Sequence, residues 1–442
     1  MYKKSFYNIT IEAIHDGSEI VFNTMSGVLG IMDADTLALY NNIEEVVPDL
    51  IQDSKTRENL DTMLKTGYVV MKNIDERAAL RLIDRQHRAF NANNYLALTI
   101  ATSLNCNMAC TYCYEGRAKV DKKDMCSQVQ ADLVRFVKKI LKNSNTKRFY
   151  VVWYGGEPLL NKDAIYNLSS EFKKLCIESE IDYSAQIVTN GILLDAQTAE
   201  RLKNDCNVVS AQITLDGMAK QHDSKRIFFD GEGSFDLIID NMAKAREYLQ
   251  IAVRVNLDKE NLDSFIDLKK FFAEKGWSEN LFVYPAPIRD YGNCNYNSSC
   301  VLSDDEFTKF QTGTIIESYN LDRKNISQVY PARKRNFCGA QCANNFVIDP
   351  EGHLYTCWHN VGMLERSFGN IKTGYTLNEN YTKWLLSEPP AKCMECQFLP
   401  VCQGGCPYEY LEKGEPSCLS WTMDFKNRLK LAYEDHLSIS SK

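Results

Sequence analysis

The segment Cys106-Asn-Met-Ala-Cys110-Thr-Tyr-Cys113 is the most informative part of the chain. It directly follows an apolar run, Leu96–Thr102, which predicts a buried strand. Three thiolates at this spacing can occupy three corners of a cubane iron–sulfur cluster and leave one iron without a protein ligand. A structural zinc site needs four ligands, and no fourth Cys or His lies nearby. Three buried cysteines without a ligand role are the alternative interpretation.

Strands and helices alternate from residue 95 to about 290. The apolar runs that predict strands are Leu96–Thr102, Phe149–Tyr154, Ala185–Thr189, Val208–Leu215, Ile251–Leu257 and Leu281–Pro285. Helices are predicted near 127–143, 162–179, 195–205, 234–250 and 261–275. Six βα repeats predict an α/β fold with a parallel sheet that is open or curled into a partial barrel. In such folds the reactive residues gather at the carboxyl ends of the strands.

Short polar motifs stand at these predicted strand ends. They are Gly155-Gly156-Glu157-Pro158, Thr189-Asn190-Gly191, Thr214-Leu-Asp216-Gly217 and Arg254-Val-Asn256. Each motif alone is common, but their order after a three-cysteine loop resembles the radical S-adenosylmethionine (SAM) superfamily. The resemblance implies a partial (β/α)6 barrel in which Cys106, Cys110 and Cys113 hold a 4Fe–4S cluster. That cluster would cleave SAM reductively to a 5′-deoxyadenosyl radical, which makes these three cysteines catalytic.

The same resemblance implies a set of residues that contact SAM. These residues are Tyr112, Gly155, Gly156, Glu157, Pro158, Thr189, Asn190, Thr214, Asp216 and Asn256. Downstream of Asp216, Arg226 is a candidate cation for the SAM carboxylate, with a solvated surface arginine as the alternative. His222 belongs to the same segment, which recurs in relatives of this kind.

Eight more cysteines lie close together in the last third of the chain. They are Cys338, Cys342, Cys357, Cys393, Cys396, Cys402, Cys406 and Cys418. From Cys342 onward their spacing resembles the SPASM domain, which implies two auxiliary 4Fe–4S clusters. By that resemblance Cys342, Cys357 and Cys406 bind the first cluster, with Cys338 as the fourth ligand or with an open iron. The second cluster takes Cys393, Cys396, Cys402 and Cys418. Two four-cysteine zinc sites are the rival interpretation.

Five cysteines have no ligand spacing around them and are interpreted as ordinary core or loop residues. They are Cys126, Cys176, Cys206, Cys294 and Cys300. A catalytic role for Cys294 or Cys300 is the alternative. His353 and His359 flank Cys357 and are interpreted as supporting or surface residues.

The first 90 residues form a separate pattern. Ser5–Ile14 and Glu19–Ile31 flank a turn signal at 15–18 and predict a hairpin, followed by helices near 33–43 and 54–64 and a short strand at 67–71. A helix at 75–90 leads into a polar linker. This order resembles the PqqD-like, winged-helix-like peptide recognition element, which binds a leader peptide as an added strand. A small α+β cap that only packs on the barrel is the alternative.

Together the patterns predict five regions. They are a recognition element at 1–90, a radical SAM partial barrel at 95–290, a bridging region at 291–334, a SPASM domain at 335–425 and a C-terminal helix at 426–442. The combination resembles maturases of ribosomally made peptides, most closely the thioether-forming type, with a precursor peptide and a flavodoxin- or ferredoxin-type reductant as partners. Carbon–carbon or cyclophane cross-linking, formylglycine formation and a non-catalytic electron carrier or scaffold are the alternatives.

Composition limits the remaining possibilities. The net charge is −7, which argues against nucleic-acid binding. No apolar run is long enough to span a membrane, and the N-terminus has no apolar signal core. Sixteen cysteines in a reducing compartment favour metal sites over disulfides. A cytoplasmic location is therefore predicted.

Overall fold

The computed structural model describes residues 1–12, 18–90, 94–113, 123–277, 281–289, 296–321 and 332–440. Most of the predicted N-terminal turn and Cys294 lie outside these ranges. The chain divides into two compact units. The first unit comprises Met1–Phe90, Asp304–Gln341 and Leu386–Lys442, and the second comprises Asn91–Ser303 and Cys342–Leu385.

The second unit contains the predicted parallel sheet. Its first six strands are β6 (Tyr95–Ser103), β7 (Arg148–Gly155), β8 (Asp182–Thr189), β9 (Val208–Leu215), β10 (Gln250–Leu257) and β11 (Leu281–Pro287). Each strand pairs in parallel with the next in chain order. The prediction of six parallel strands is confirmed. Strand β11 is an edge that does not pair with β6, so the sheet is open rather than a closed barrel.

Helices connect these strands, and their bounds follow the predicted ones within a few residues. They are α4 (Ser127–Lys142), α5 (Lys162–Glu178), α6 (Ala196–Asn204), α7 (Ala219–Asp223), α8 (Phe235–Ala245) and α9 (Leu262–Glu274). Local chemistry fixes some starts: the Asp195 carboxylate accepts a hydrogen bond from the backbone N–H of Thr198 and so caps α6. The prediction omitted the short helix α7.

Alternation of side chains distinguishes the two faces of this sheet. On β10, Val253 and Val255 are fully buried, whereas Arg254 and Asn256 are half-buried. On the covered side, Phe149 of β7 meets Phe172 of α5 with ring centroids 5.1 Å apart. The opposite side, here called the open face, carries more polar residues. Its members on β8, β9 and β10 are Ser184, Gln186, Val188, Ser210, Gln212, Thr214, Ala252, Arg254 and Asn256.

Part of the C-terminal third extends the same sheet. Strands β12 (Asn345–Ile348), β13 (His353–Tyr355), β14 (Gly369–Asn370) and β15 (Gly374–Tyr375) continue beyond β6, giving ten strands in all. Strand β12 pairs with β6 in parallel, and the later strands are antiparallel. Helix α11 (Glu379–Leu385) follows, and its Tyr381 stacks on Phe368 at 4.5 Å. This region has no long periodic segment that could form a core of its own. Its short strands bury their apolar residues because they join the sheet that begins at β6.

The first unit is built on small sheets and short helices. Its strands are β1 (Tyr2–Lys4), β2 (Asn8–Glu12), β3 (Glu19–Asn23), β4 (Val28–Met32) and β5 (Val69–Met71). Its helices are α1 (Ala34–Asn41), α2 (Ser54–Thr66), α3 (Glu76–Phe90), α10 (Asp304–Leu321), α12 (Ala391–Met394), α13 (Leu399–Cys402), α14 (Pro407–Lys413), α15 (Ser420–Met423) and α16 (Phe425–Ser440). The second predicted strand is in fact two strands, β3 and β4, which form an antiparallel sheet with β2.

Both faces of that three-stranded sheet are covered. One face, with Val21 and Met32, packs against α1 and α2. The other face, with Ile20 and Phe22, packs against Phe425 and Leu429 of α16. Only the outer strands β2 and β4 therefore leave backbone groups for further pairing. None of the helices in the described ranges is both long and apolar enough to cross a membrane.

Candidate functional site

The three-cysteine segment lies in the loop between β6 and α4, at the carboxyl end of the first parallel strand. Backbone bonds hold it from two directions. The N–H groups of Ala109 and Thr111 donate to the carbonyls of Ile227 and Lys225 at 2.8 and 3.0 Å. At the start of the loop, Asp124 accepts hydrogen bonds from the side chains of Ser103 and Asn105. The loop is therefore tied to β6 and to the segment after α7.

Gly155 and Gly156 let the end of β7 approach this loop closely. Gly156 N–H donates to the Ser103 carbonyl at 3.0 Å, and Glu157 N–H donates to the Asn105 carbonyl at 2.8 Å. A Cβ on either glycine would overlap a backbone carbonyl of the loop, and Gly155 also has φ of +132°. Glycine is needed at both positions because a side chain would push the loop away.

The Glu157 carboxylate connects the ends of β7 and β8. It is fully buried and accepts hydrogen bonds from the backbone N–H groups of Leu159 and Asn190 and from the hydroxyl of Thr189. Burial raises the pKa of Glu157, while these hydrogen bonds oppose that rise. Pro158 follows in the same turn, and its carbonyl accepts from Thr102 at 3.1 Å.

Asn190 carries this connection on to the first cysteine. Its Nδ2 lies 3.9 Å from the Cys106 Sγ and donates to Asn107 Oδ1 at 2.8 Å. The residue after β8 is thus a polar neighbour of a predicted cluster ligand. Hydrogen bonds to cysteine sulfur are one of the means by which proteins set the reduction potential of an iron–sulfur cluster.

A second polar group surrounds the Tyr112 hydroxyl. This hydroxyl donates to Asp216 Oδ1 at 2.9 Å and accepts from Arg226 Nη1 and Asn256 Nδ2, both at 3.1 Å. Burial raises the pKa of Asp216 to about 6, although the charge of Arg226 opposes the rise. Within the described ranges, Oδ2 of Asp216 and Nε of Arg226 have no hydrogen-bond partner despite being buried. These two atoms are therefore available for hydrogen bonds to a ligand.

The structure thus brings most of the predicted residues together. Direct contacts join Glu157, Asn190 and Cys106 in one group. They join Tyr112, Asp216 and Asn256 in a second group. Thr214 is half-buried on the open face one strand from Arg254, its cross-strand neighbour. Arg226 is 7% exposed, so the alternative of a solvated surface arginine is wrong.

The three cysteines of the loop are half-buried, and a bound metal would have to displace their thiol protons. Burial raises the pKa of Cys106 to about 11 and also raises the pKa of Cys110. The charges of Glu157, Cys110 and Cys113 add to the rise at Cys106. Among described residues, no three or more Cys, His, Asp or Glu side chains are arranged to hold a single metal ion. A cubane cluster is bulkier than one ion, and its ligands stand correspondingly further apart.

The sequence did not reveal a buried ion pair beside this loop. Lys225, whose carbonyl anchors Thr111, pairs through its Nζ with Asp258, and Tyr296 donates to the same carboxylate. Asp258 directly follows β10, so the strand-end rule could have identified it. Nearby, His222 is fully buried, with Nε2 2.9 Å from the Ser234 hydroxyl, and burial holds its pKa well below the usual range.

Four of the C-terminal cysteines influence one another within the first unit. Burial raises the pKa of Cys393 to about 11, and the charges of Cys402, Cys396 and Cys418 add to the rise. Of the other four, Cys338 and Cys406 belong to the first unit and Cys342 and Cys357 to the second. Cys342 is buried, and the other three are half-buried.

The residues around Cys357 and the remaining cysteines have ordinary structural contacts. Trp358 lies on Tyr154, with ring centroids 4.6 Å apart. His353 is bound to Asp349, which raises its pKa through a hydrogen bond. Cys176 and Cys206 are core residues, as predicted. In the same second unit, Cys126 is exposed at the start of α4, and Cys300 donates to Glu260 at 3.5 Å.

Residues 100–272 match the Radical SAM superfamily. The match runs from β6 to α9 and agrees with the predicted resemblance to enzymes that use SAM and an iron–sulfur cluster.

Curated relatives are similar over most of the chain. A serine-type anaerobic sulfatase-maturating enzyme of Bacteroides thetaiotaomicron is 26% identical over 70% of this chain and 83% of its own length. The radical SAM cyclopropyl synthase TigE of Paramaledivibacter caminithermalis is 24% identical over 89% of this chain and 85% of its own. The mycofactocin maturase MftC of Mycolicibacterium smegmatis is 26% identical over 74% of this chain and 81% of its own length.

A solved structure shares the fold. The structure described as native anSMEcpe with bound AdoMet and Cp18Cys peptide superimposes with a TM-score of 0.60 and 19% identity, covering 78% of this chain and 99% of that one.

Proposed function

We propose that this protein is a peptide maturase that joins a cysteine sulfur to a carbon of another residue in a ribosomally made precursor peptide. The observation that carries the proposal is the anchored cysteine loop, with Asn190 beside Cys106 and the polar group around Tyr112. The similar structure with a bound peptide supports a peptide as the substrate class. The thioether itself rests on the resemblance of the whole pattern to thioether-forming maturases.

When bound, the cluster and SAM supply a reactive carbon radical that removes hydrogen from an unactivated carbon. Forming a thioether takes two hydrogens from the peptide, one from a carbon and one from a thiol. The first leaves as a hydrogen atom in 5′-deoxyadenosine. The second leaves as a proton, and one electron must pass to an acceptor. The protein's own residues bind, orient and shield the reactants from water.

The C-terminal cysteines are proposed to hold two auxiliary 4Fe–4S clusters that accept this electron. The mutual influence of Cys393, Cys396, Cys402 and Cys418 supports one four-thiolate site. Cys342, Cys357 and Cys406, with Cys338 as fourth ligand, would form the other. Fully loaded protein should contain about twelve irons. Changing Cys393, Cys396, Cys402 and Cys418 to Ala should remove about four of them. Cys176→Ala and Cys206→Ala are matched controls, and stoichiometric zinc in place of iron would contradict this assignment.

The first unit is proposed to bind a leader peptide as a strand added to β4. At the start of β2, the carbonyl of Asn8 and that of the preceding Phe6 already accept hydrogen bonds from the Gln397 side chain, which favours β4 as the free edge. Ile31 of β4 is 44% exposed and offers an apolar contact to an added strand. Removing residues 1–90 would expose the apolar face of α16 that packs on β2 and β3, so a point variant is the better test. Ile31→Asp should weaken binding of the precursor peptide and spare SAM cleavage.

The test of the thioether is to express the protein with short Cys-containing peptides encoded beside its gene. Loss of two hydrogens from a peptide, together with loss of one alkylatable thiol, is expected. Loss of two hydrogens with all thiols retained would instead indicate a carbon–carbon or cyclophane cross-link. Absence of 5′-deoxyadenosine under reducing conditions would favour an electron carrier.

Formylglycine formation is the second candidate because two kinds of curated relatives are sulfatase-maturating enzymes. In such enzymes an Asp follows the cysteine that corresponds to Cys357, whereas this chain has Trp358. An indole cannot accept a proton as a carboxylate can. Conversion of a sulfatase peptide to an aldehyde, detected by hydrazide trapping, would establish this candidate over the thioether.

A further inference from the structure

We propose that Arg254 binds a carboxylate of the substrate peptide, carried by an Asp or Glu side chain or by the chain terminus. The inference rests on the proposed function, because it assumes a peptide on the open face of the sheet.

Arg254 occupies a central place on that face. Its neighbours on β10, Val253 and Val255, are fully buried on the opposite side. Across the sheet it lies level with Thr214 of β9 and Tyr284 of β11. The guanidinium is half-buried. It is therefore partly shielded from water yet open to a ligand that enters from the open face.

A hydrogen bond to a neighbouring side chain holds the guanidinium in place. Its Nε donates to Asn256 Oδ1 at 2.9 Å. Burial raises the pKa of Tyr284, and the charge of Arg254 and a hydrogen bond from it oppose that rise. The Tyr284 hydroxyl in turn donates to Gln212 at 2.7 Å. A fixed guanidinium loses less entropy when it binds a planar carboxylate through two parallel hydrogen bonds.

Arg254 differs from the other two cations of the site, which each have a carboxylate close by. Lys225 pairs with Asp258. Arg226 lies close enough to Asp216 for each charge to shift the pKa of the other. Arg254 forms no ion pair with any carboxylate in the part of the chain that the structure describes. A partly buried cation without a counter-charge can gain from an anionic ligand that binds beside it.

The position also suits a residue that orients the reacting segment. Asn256, which holds Arg254, donates through Nδ2 to the Tyr112 hydroxyl at 3.1 Å. Tyr112 stands between Cys110 and Cys113. A carboxylate on Arg254 would thus anchor the peptide a short distance from the cysteine loop.

The methionine part of SAM also carries a carboxylate, and the experiment separates the two sources. The probes are N-acetyl-glutamate N-methylamide and its uncharged glutamine isostere, measured by ligand-observed NMR on the iron-loaded full chain with saturating SAM. SAM affinity is measured separately by equilibrium dialysis. The variants are Arg254→Gln and Arg254→Lys. The control is Arg201→Gln, which removes an arginine that lies on the Tyr166 ring in the helical layer.

The wild type and Arg201→Gln should prefer the glutamate probe by about tenfold or more, because hydrogen bonds to charged groups are the stronger ones. Arg254→Gln should lose this preference, Arg254→Lys should keep part of it, and SAM affinity should stay within about twofold. A preference that survives in Arg254→Gln, or is missing from the wild type, would overturn the inference. So would a tenfold loss of SAM affinity in Arg254→Gln. Failure of the proposed function would appear separately, as SAM cleavage without modification of any peptide.

Discussion

The buried carboxylate of Glu157 accepts a hydrogen bond from the backbone N–H of Asn190 at 2.7 Å. This bond joins the end of β7 to the end of β8. Since Asn190 reaches Cys106 through its own side chain, Glu157 holds in place a neighbour of the cysteine loop.

Replacing Glu157 with Ala should therefore destabilise the protein. Two backbone N–H groups and the Thr189 hydroxyl would lose their acceptor in a dry environment. The free energy of unfolding, measured in urea, should fall by about 2–3 kcal/mol. Glu178→Ala, at the exposed end of α5, is the control and should change it by less than about 0.5 kcal/mol. Equal effects of the two variants would mean that the Glu157 bonds contribute little.

Alanine at Gly155 or Gly156 should displace the cysteine loop. The new methyl group would overlap the carbonyl of Ser103 or Asn105, and neither backbone can move without breaking the bonds to Gly156 and Glu157. We expect SAM affinity to fall by about tenfold or more, since misplacement of positioning groups is costly. Gly313→Ala is the control: its Cβ meets nothing within 4 Å, and alanine should stabilise α10 slightly. Unchanged SAM affinity in Gly155→Ala and Gly156→Ala would contradict the close approach of β7 to the cysteine loop.

Asn190→Ala should shift the reduction potential of the cluster in the loop to a more negative value. The substitution removes the amide near the Cys106 sulfur, and donors to cysteine sulfur stabilise the reduced state. An EPR-monitored redox titration measures the shift. Asn167→Ala, an exposed asparagine on α5, serves as the control. If the reduction potential is the same in Asn190→Ala and in Asn167→Ala, the Asn190 amide does not act on the cluster.

The parallel sheet could be predicted because its strands alternate apolar residues with others and most of them end in a polar motif. Val208–Leu215 shows this directly, since the predicted and observed bounds coincide. The role of Glu157 in joining two strands could not be predicted, because it depends on which backbone N–H groups face the carboxylate. The same holds for Arg226, whose burial arises from contacts with Tyr112 more than 100 positions away.

The C-terminal strands show a different limit. Strands β12–β15 have between two and four residues each, too few to display a period. The pairing of β12 with β6 depends on register rather than on composition. Likewise, the predicted strand Glu19–Ile31 breaks between β3 and β4, where Asn23, Ser26 and Gly27 interrupt the apolar run. The Asn23 side chain forms the turn there by accepting hydrogen bonds from the backbone N–H groups of Met25 and Ser26.

Asp216 should make the stability of the metal-free protein depend on pH. Burial raises the pKa of Asp216 to about 6 from an ordinary 3.8, so the folded state retains a proton that the unfolded state releases. The resulting stability is present below about pH 4 and is lost as pH rises to about 6. Relative to Asp216→Asn, the wild type should lose about 2–3 kcal/mol over this range. Urea unfolding at several pH values measures the difference, with Asp182→Asn as an exposed control. Parallel curves for wild type and Asp216→Asn would contradict the shift.

The most direct test of the account is formation of 5′-deoxyadenosine from SAM by the reduced, iron-loaded protein. Wild-type protein should form it, and the variant with Cys106, Cys110 and Cys113 all changed to Ala should not. That variant should still hold about eight irons, since its other cysteines are intact. Formation of 5′-deoxyadenosine by the triple variant at the wild-type rate would contradict the assignment of the cysteine loop as the site of SAM cleavage.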